Sequence, residues 1–377
     1  MNILEILNEL IAIDTTNPPG NEKYIVEYIK NFFKDKAKLI EIEHGNNRSS
    51  LIVRFEGKQK KTLSIVGHID TVPIGNASDW KYHPFEAKVE NDYIYGRGTS
   101  DMKSGVSCMI SIGDHLINHY DSLPINIDLV FTADEETGGM GVKEINKQGY
   151  FNNTEFIMVP EPTSLKLGTK EKGTLWLEIS VKGRSAHGAY PEKGLNAIDT
   201  VFAIKDELKL YLEKSPKDDL LNKSTISLNK IEGGNKINII ADNCDASMDI
   251  RYTPSLKSED IKDQFNRIIN KYIELGYLIE YEIINDRASL ATDPNSIYIS
   301  SLREVLKEFK IAGEEVGIYY YTDASDIVPY TDIPFLLFGP GLEEECHKAD
   351  EKAPIKNIIL AEKIYIEWVD RIINTKI

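Results

Sequence analysis

Cysteine is scarce in this chain of 377 residues: Cys108, Cys244 and Cys346 lie far apart and form no CxxC pair. That excludes a disulfide scaffold and a thiolate zinc cage, and it suits a reducing cytoplasm. Positive charge is in deficit. With 44 Lys and Arg against 60 Asp and Glu the formal net charge is -16, so nothing here is expected to neutralise a run of phosphates, and nucleic acid is excluded as a partner. No stretch approaches ~18 consecutive apolar residues, so no membrane span is expected. The opening segment, MNILEILNELIAIDTTNPPG, carries Glu5 and Glu9 within an amphipathic pattern and lacks the basic start and unbroken apolar stretch of a secretion signal. Internal repeats and low-complexity tracts are missing as well. A cytoplasmic enzyme is the expectation. The hydrophobic fraction of 41% is ample for more than one core, since domains hold ~100–200 residues.

Periodicity divides what is there. Helical spacing over residues 3–13 and 22–33 is interrupted at Pro18-Pro19-Gly20. Strands are predicted at LIVRF (51–55) and TLSIVGHID (62–70), a helix at 102–119, a strand from Ile125, a short helix at GVKEINKQGY and a strand from Glu155. Strands alternating with helices imply a largely parallel α/β sheet, in which ligands gather beyond the carboxyl ends of the strands. Near Gly173 the rhythm changes. Strands at TLWLEISVKG, STISLNKIEG, INIIADNCDASMDIRY and 277–284 now come as neighbours joined by turns, with helices at 195–212 and 258–275. This reads as an α+β unit, residues 174–286, inserted into an α/β domain made of 1–173 and 287–377. The alternation resumes with a helix at 295–310, strands at VGIYYY and PFLLFGP, and a last helix from Pro354.

Each apolar strand of the α/β domain delivers acid or imidazole where it stops. His68 and Asp70 end GHID, Asp101 lies in GRGTSDMKSG, Glu135 and Glu136 in TADEETGG, Glu161 in VPEPT, and His347 follows PFLLFGPGLEEECHKADE. Such groups on one sheet edge would repel as bare anions and suit divalent cations instead. Two histidines and three carboxylates supply two ions with two ligands each and one shared carboxylate, leaving positions open for water and substrate. Asp101, short and flanked by glycines, is the natural bridge. Asp70, two positions beyond His68, is placed to accept the other imidazole N–H and fix the tautomer. Of Glu135 and Glu136, one is available to bind metal and the other to remain free as general base. GRGTSD falls short of a phosphate loop, because Asp101 occupies the last glycine position of GxGxxG and would repel phosphate. His44, His83, His115 and His119 lack comparable company, Glu343–Glu345 reads as a solvated loop face, and Cys346 as a neutral thiol.

In order along nearly the whole chain, GHIDTVP, GRGTSDMKSG, DEETGG, EPT, SAHGAYPEKGLNAI and GPG with CHKADE closely resemble the M20 metallopeptidase family. The resemblance implies a zinc-exopeptidase-like catalytic domain with a mixed, largely parallel sheet, and an inserted lid and dimerisation domain. It implies two Zn2+, with Co2+ or Mn2+ able to substitute, held by His68 and Glu161 on one side and by Glu136 and His347 on the other. Asp101 would bridge, Glu135 would act as general base and Asp70 would orient. In the insertion, His187 matches the histidine that reaches a partner subunit's active site to stabilise the oxyanion. Asn238 and Arg251 match positions that hold substrate, the arginine meeting a carboxylate. Asp323 falls in another characteristic segment near the pocket. The resemblance further implies a cis peptide bond after Asp101 and a homodimer.

Glu161, where relatives that are aminopeptidases carry Asp, together with EPT and GPG, resembles the acetylornithine deacetylase and succinyl-diaminopimelate desuccinylase branch. The expected reaction is removal of an acetyl or succinyl group from an N-acyl amino acid. The alternative is a carboxypeptidase or dipeptidase acting on small peptides. A catalytically silent binding homologue is a third possibility, against which the intact set of ligands and Glu135 speaks.

Overall fold

Thr62–His68 is buried at all seven positions, and that follows from its place. In the computed structural model, which describes residues 2–375, it lies parallel between Asn126–Thr132 and Thr154–Val159. Of the nine strands of this sheet, the first six from one edge are, in order, Lys38–Gly45, Arg48–Phe55, Asn126–Thr132, Thr62–His68, Thr154–Val159, Phe335–Leu337. The first two strands are antiparallel to their neighbours, and the next four run parallel. A strand covered on both faces is mostly apolar, as LSIV and LVF show; Ser64 and Asp128, polar and buried, are partnered by Thr154 and Arg54. The sheet is therefore mixed, with a parallel centre.

Six helices accompany this sheet: Ile3–Ala12, Lys23–Phe33, Lys103–His119, Met140–Lys147, Ile297–Glu308 and Ile355–Thr375. The first begins with a capping box in which Asn2 accepts from the Leu4 amide while Glu5 accepts from the Asn2 amide. Lys103–His119 is buried along most of its length and packs on the Ile3–Ala12 and Ile355–Thr375 helices. Three short strands, Lys88–Glu90, Tyr93–Tyr95 and Lys352–Pro354, make a separate small sheet.

The chain forms two compact units: residues 1–169, 292–316 and 322–377, and residues 170–291 with 317–321. In the second, four antiparallel strands are ordered Thr225–Gly233, Asn243–Tyr252, Gly173–Lys182, Leu278–Arg287. Alternation sorts them: Leu175, Leu177, Ile179 and Val181 share a core with Val201, Ile204, Leu208, Ile261 and Phe265 from the helices Ala197–Glu213 and Ser258–Glu274, while Glu178 and Lys182 are exposed.

Two expectations are corrected, and one strand was not foreseen. Residues 317–321, assigned above to the catalytic domain, cluster with the second unit. The Tyr321 ring lies against Trp176, Arg251 and Arg287, and Tyr319 is hydrogen-bonded to Asn222 and Leu220. The strand expected from Ile237 begins only at Asn243; the apolar run before it is loop, with Ile237 fully exposed. Lys38–Gly45, an edge strand that among the described residues pairs only with Arg48–Phe55, carried no strand signal because its residues are mostly half-exposed and mixed with charge. No helix among the described residues is long and apolar enough to cross a membrane.

Candidate metal centre

The parallel register sets His68 level with Thr132, so the chains leaving these strands reach the same edge with His68 on one and Glu135 and Glu136 on the other. Glu161 follows two residues after Val159. Asp101 precedes the Lys103–His119 helix, and the Asp101–Met102 peptide bond is cis. His347 lies in the loop beyond Phe335–Leu337, with positive φ.

These side chains converge. His68 Nε2 is 3.1 Å from Asp101 Oδ1 and 3.9 Å from Glu161 Oε1. His347 Nε2 is 3.2 Å from Asp101 Oδ2 and 3.2 Å from Glu136 Oε2. Asp101 thus turns one oxygen toward each of two imidazoles. His68, Asp101 and Glu136 each offer a ligand atom within 4.8 Å of the others. Around a tetrahedral cation with ligands at 2.0–2.1 Å, neighbouring donor atoms stand about 3.3 Å apart, close to three of the four distances here. Glu135 Oε1 and Glu136 Oε1 are buried with no hydrogen-bond partner, as acceptors aimed at a cation or its water would be. Divalent metal fits these residues.

The charges agree. Burial pushes the Glu136 carboxyl up to about 7, Asp101 adding to the rise while His347 and His68 oppose it. Burial likewise raises Glu135 and Glu161 well above the usual range. His68 opposes the rise of Glu135, to which Glu136, Asp323 and Glu161 add; Asp101, Asp323 and Glu136 add to that of Glu161, again against His68. For Asp101 burial acts upward too, but hydrogen bonds from His347 and His68 hold it well below the ordinary value. Hydrogen bonds to Asp101 and Glu136 lift His347 to about 10. Burial works against the His68 imidazolium, yet the Asp101 hydrogen bond and Glu161 keep its pKa well above the usual one. Such acids hold protons that a dication would replace.

Asp70 differs from its expected contact. His68 Nδ1 lies 3.0 Å from the Asp70 main-chain oxygen, and the Asp70 carboxylate stands off at 3.7 Å. The carboxylate is occupied elsewhere: it accepts from the amides of Glu135 and Glu136 at 3.1 and 3.3 Å and from Asn17 Nδ2 at 2.8 Å. The main chain of Asp70 therefore meets the ring, while its side chain holds the turn that bears the two glutamates. Asn17 also donates to Asp134 and Thr137, and Arg48 bridges Asp134 to the buried Glu22. Neither Arg48 nor Glu22 was marked by a motif, and Asn17 stood out only as the first residue of NPPG. Asp323 is buried and accepts from Thr132 at the end of a central strand.

The remaining sequence candidates lie in the second unit. His187 and Asn238 are exposed on segments that run side by side, His187 bridging Ile239 and the Gly188 amide donating to Asn238 O at 2.8 Å. Arg251 pairs with Asp249 at 2.9 Å and donates to Thr174 at 2.8 Å, with its guanidinium over Trp176 and Tyr321.

Hydrolysis by metal requires donors that leave coordination positions open and a base beside them, and the cluster at the strand ends meets both requirements, which defines the class as a metallohydrolase. The profile of peptidase family M20/M25/M40 matches residues 65–371, and the chain belongs to that family. It is 26% identical to an uncharacterized metallohydrolase of Methanocaldococcus jannaschii, over 97% of this chain and 98% of that one. It is 25% identical to a probable succinyl-diaminopimelate desuccinylase of Staphylococcus aureus, over 97% and 95%. Its fold is similar to that of an M20 family metallo-carboxypeptidase from Sulfolobus solfataricus, with TM-score 0.80, 19% identity and 98% of each chain covered.

Proposed function

We propose that this protein is a two-zinc amidohydrolase that removes an acetyl or succinyl group from an N-acyl amino acid. The observation that carries the reading is Asp101, whose two oxygens face His68 and His347 separately, while Oε1 of the buried Glu135 has no hydrogen-bond partner. In this reading His68 and Glu161 hold one ion, Glu136 and His347 the other, and Asp101 both; Co2+ or Mn2+ can substitute. When bound, such ions acidify water and polarise the amide carbonyl. The chain's own residues do the rest. Glu135 takes the proton of the attacking water and returns it to the leaving amine, a task suited to a carboxylate made more basic by burial and neighbouring acids. Asp70 holds the Glu135 and Glu136 amides in place, and its main-chain oxygen orients the His68 ring.

On the resemblance described above, His187 stabilises the oxyanion, Asn238 and Arg251 hold the substrate, and the protein is a cytoplasmic homodimer. The acyl-amino-acid substrate is supported by the desuccinylase relative; a second reading, cleavage of small peptides, is favoured by the peptidase structures that share the fold. The test is a panel of N-acetyl and N-succinyl amino acids set beside di- and tripeptides, with Zn2+ or Co2+ added. Free amine released from the acylated arm, lost on chelation and recovered with metal, is the expected result. Turnover of the peptides alone would move the assignment to the second reading.

A further inference from the structure

Glu351 is a fully buried carboxylate to which the chemistry above gives no task. Every contact it makes is with a donor. Its Oε1 accepts from the amides of Ser100 and Asp101 at 2.8 and 3.1 Å, and its Oε2 accepts from the Gly98 amide at 3.1 Å and from Arg97 at 2.5 Å. Arg97, itself 1% exposed, also donates to the Pro73 main-chain oxygen at 3.2 Å and stacks on Trp80. One ion pair therefore joins three segments: the loop that follows His68, the turn that ends in Asp101, and the run that follows His347. Ser100 adds a second tie, donating to Lys352 O at 2.8 Å and accepting from the Leu342 amide at 3.0 Å.

Three amides and a guanidinium converging on one carboxylate fix the path of residues 97–101 far more tightly than a turn needs for its own sake. A surface turn satisfies such amides with water; this one spends an ionised side chain on them inside the protein, where its removal would leave several donors unsatisfied. Gly98 has φ 87, and Gly341 packs so close that a Cβ there would meet Ser100 O at 2.3 Å. The turn has no freedom to choose another path while Glu351 is in place.

We infer that Glu351, with Arg97, is a positioning residue for the metal centre: it sets the reach of Asp101 between His68 and His347 and so determines whether the second cation binds. This rests on the two-metal reading above. Outer partners that orient metal ligands typically govern affinity by about 10–100-fold, and Asp101 is the ligand common to both clusters.

The experiment is titration of metal-free protein with Co2+, followed by calorimetry and by the visible d–d spectrum, for wild type, Glu351→Gln and Arg97→Lys. Wild type is expected to take up two Co2+. Glu351→Gln, nearly isosteric but with an amide nitrogen facing backbone donors, is expected to bind the second Co2+ at least about tenfold more weakly. Its d–d spectrum should be altered at matched occupancy, and KM should change less than kcat. Arg97→Lys, which keeps the charge but not the fork, should fall between the two. A Glu351→Gln protein with wild-type affinity and spectrum overturns the inference, as does loss of the fold in both variants, which would make the pair structural only. Wild type that binds no Co2+ overturns the two-metal reading itself, and this inference with it.

Discussion

Two adjacent acids, Glu135 and Glu136, meet different neighbours. Glu136 lies 3.2 Å from His347 Nε2, whereas Glu135 is raised chiefly by burial, with His68 opposing the rise and Glu136, Asp323 and Glu161 adding to it. Glu135→Gln keeps the shape and loses only the capacity to accept a proton, so kcat is expected to fall by about 10²–10⁴-fold or more with two metals still bound. Metal analysis beside initial rates checks this; near-native turnover at full occupancy would assign the base elsewhere. The metal-free centre also has a pH signature. Glu136 at about 7 and His347 at about 10 both stand above their ordinary 4.5 and 6.5, so the folded chain holds protons that the unfolded chain has released. Stability contributed by His347 is full below its unfolded value and lost as pH rises through 10, and Glu136 acts in the same sense between 4.5 and 7. Bound metal displaces these same protons. The difference in Tm between metal-loaded and metal-free protein is therefore expected to widen from about pH 5 to about pH 9, and a gap that narrows would contradict these assignments. Four of the five ligand candidates were legible in the sequence because each stands at or just past the end of an apolar strand or in a glycine-bounded turn; His347, well beyond its strand, was legible only through CHKADE. Asn17 was not, and although Arg97 and Glu351 stand inside GRGTSDMKSG and CHKADE, their pairing was not: these residues act on backbone amides and other side chains across long separations, and spacing alone does not record that.

Elements bring the ligands to one edge, and their fit is close. The helix Lys103–His119 lies against the end of Thr154–Val159 at Gly105, where a Cβ would come within 2.2 Å of Pro160 O and 2.7 Å of Pro160 Cβ. Alanine is the better helix former by about 1 kcal/mol. The overlap is with backbone, which cannot swing away, and overpacking of this kind costs typically 1–3 kcal/mol or more. Gly105→Ala is therefore expected to be destabilising on balance, with a lower urea midpoint at unchanged m, and to weaken metal binding because Pro160 carries Glu161 with it. An unchanged midpoint would show that the helix can shift. Helices and central strands were readable because their periods are clean, as in the LSIV run of Thr62–His68. Lys38–Gly45 was not, since an edge strand half in solvent has no need of a clean pattern. The INII run misled in the other direction: apolar residues suggested a strand, but residues 237–242 pair in no ladder and Ile237 is exposed.

At the scale of the whole molecule, the change from alternating to neighbouring strands near Gly173 marked the second unit. Its return segment, Gly317–Tyr321, could not be marked in that way, because membership there is decided by where the Tyr321 ring finds Trp176 and Arg287. The molecule also treats its two imidazoles unequally. The His68 side chain is 1% exposed and that of His347 54%, so one end of the cluster opens to solvent while the other is sealed by the sheet. Traffic of ions should follow that gradient. On the two-metal proposal, under a chelator in excess the ion beside His347 is expected to leave first and the one beside His68 and Glu161 to follow in a slower phase, giving two exponentials of similar amplitude and a long-lived protein with a single metal. Stopped-flow release monitored with a metal-sensitive dye would reveal one phase only if the two ions shared a common exit. If both ions are as proposed, a cell poor in metal would hold this protein half-loaded rather than empty, one ion short of turnover and ready to regain it through the side that faces water.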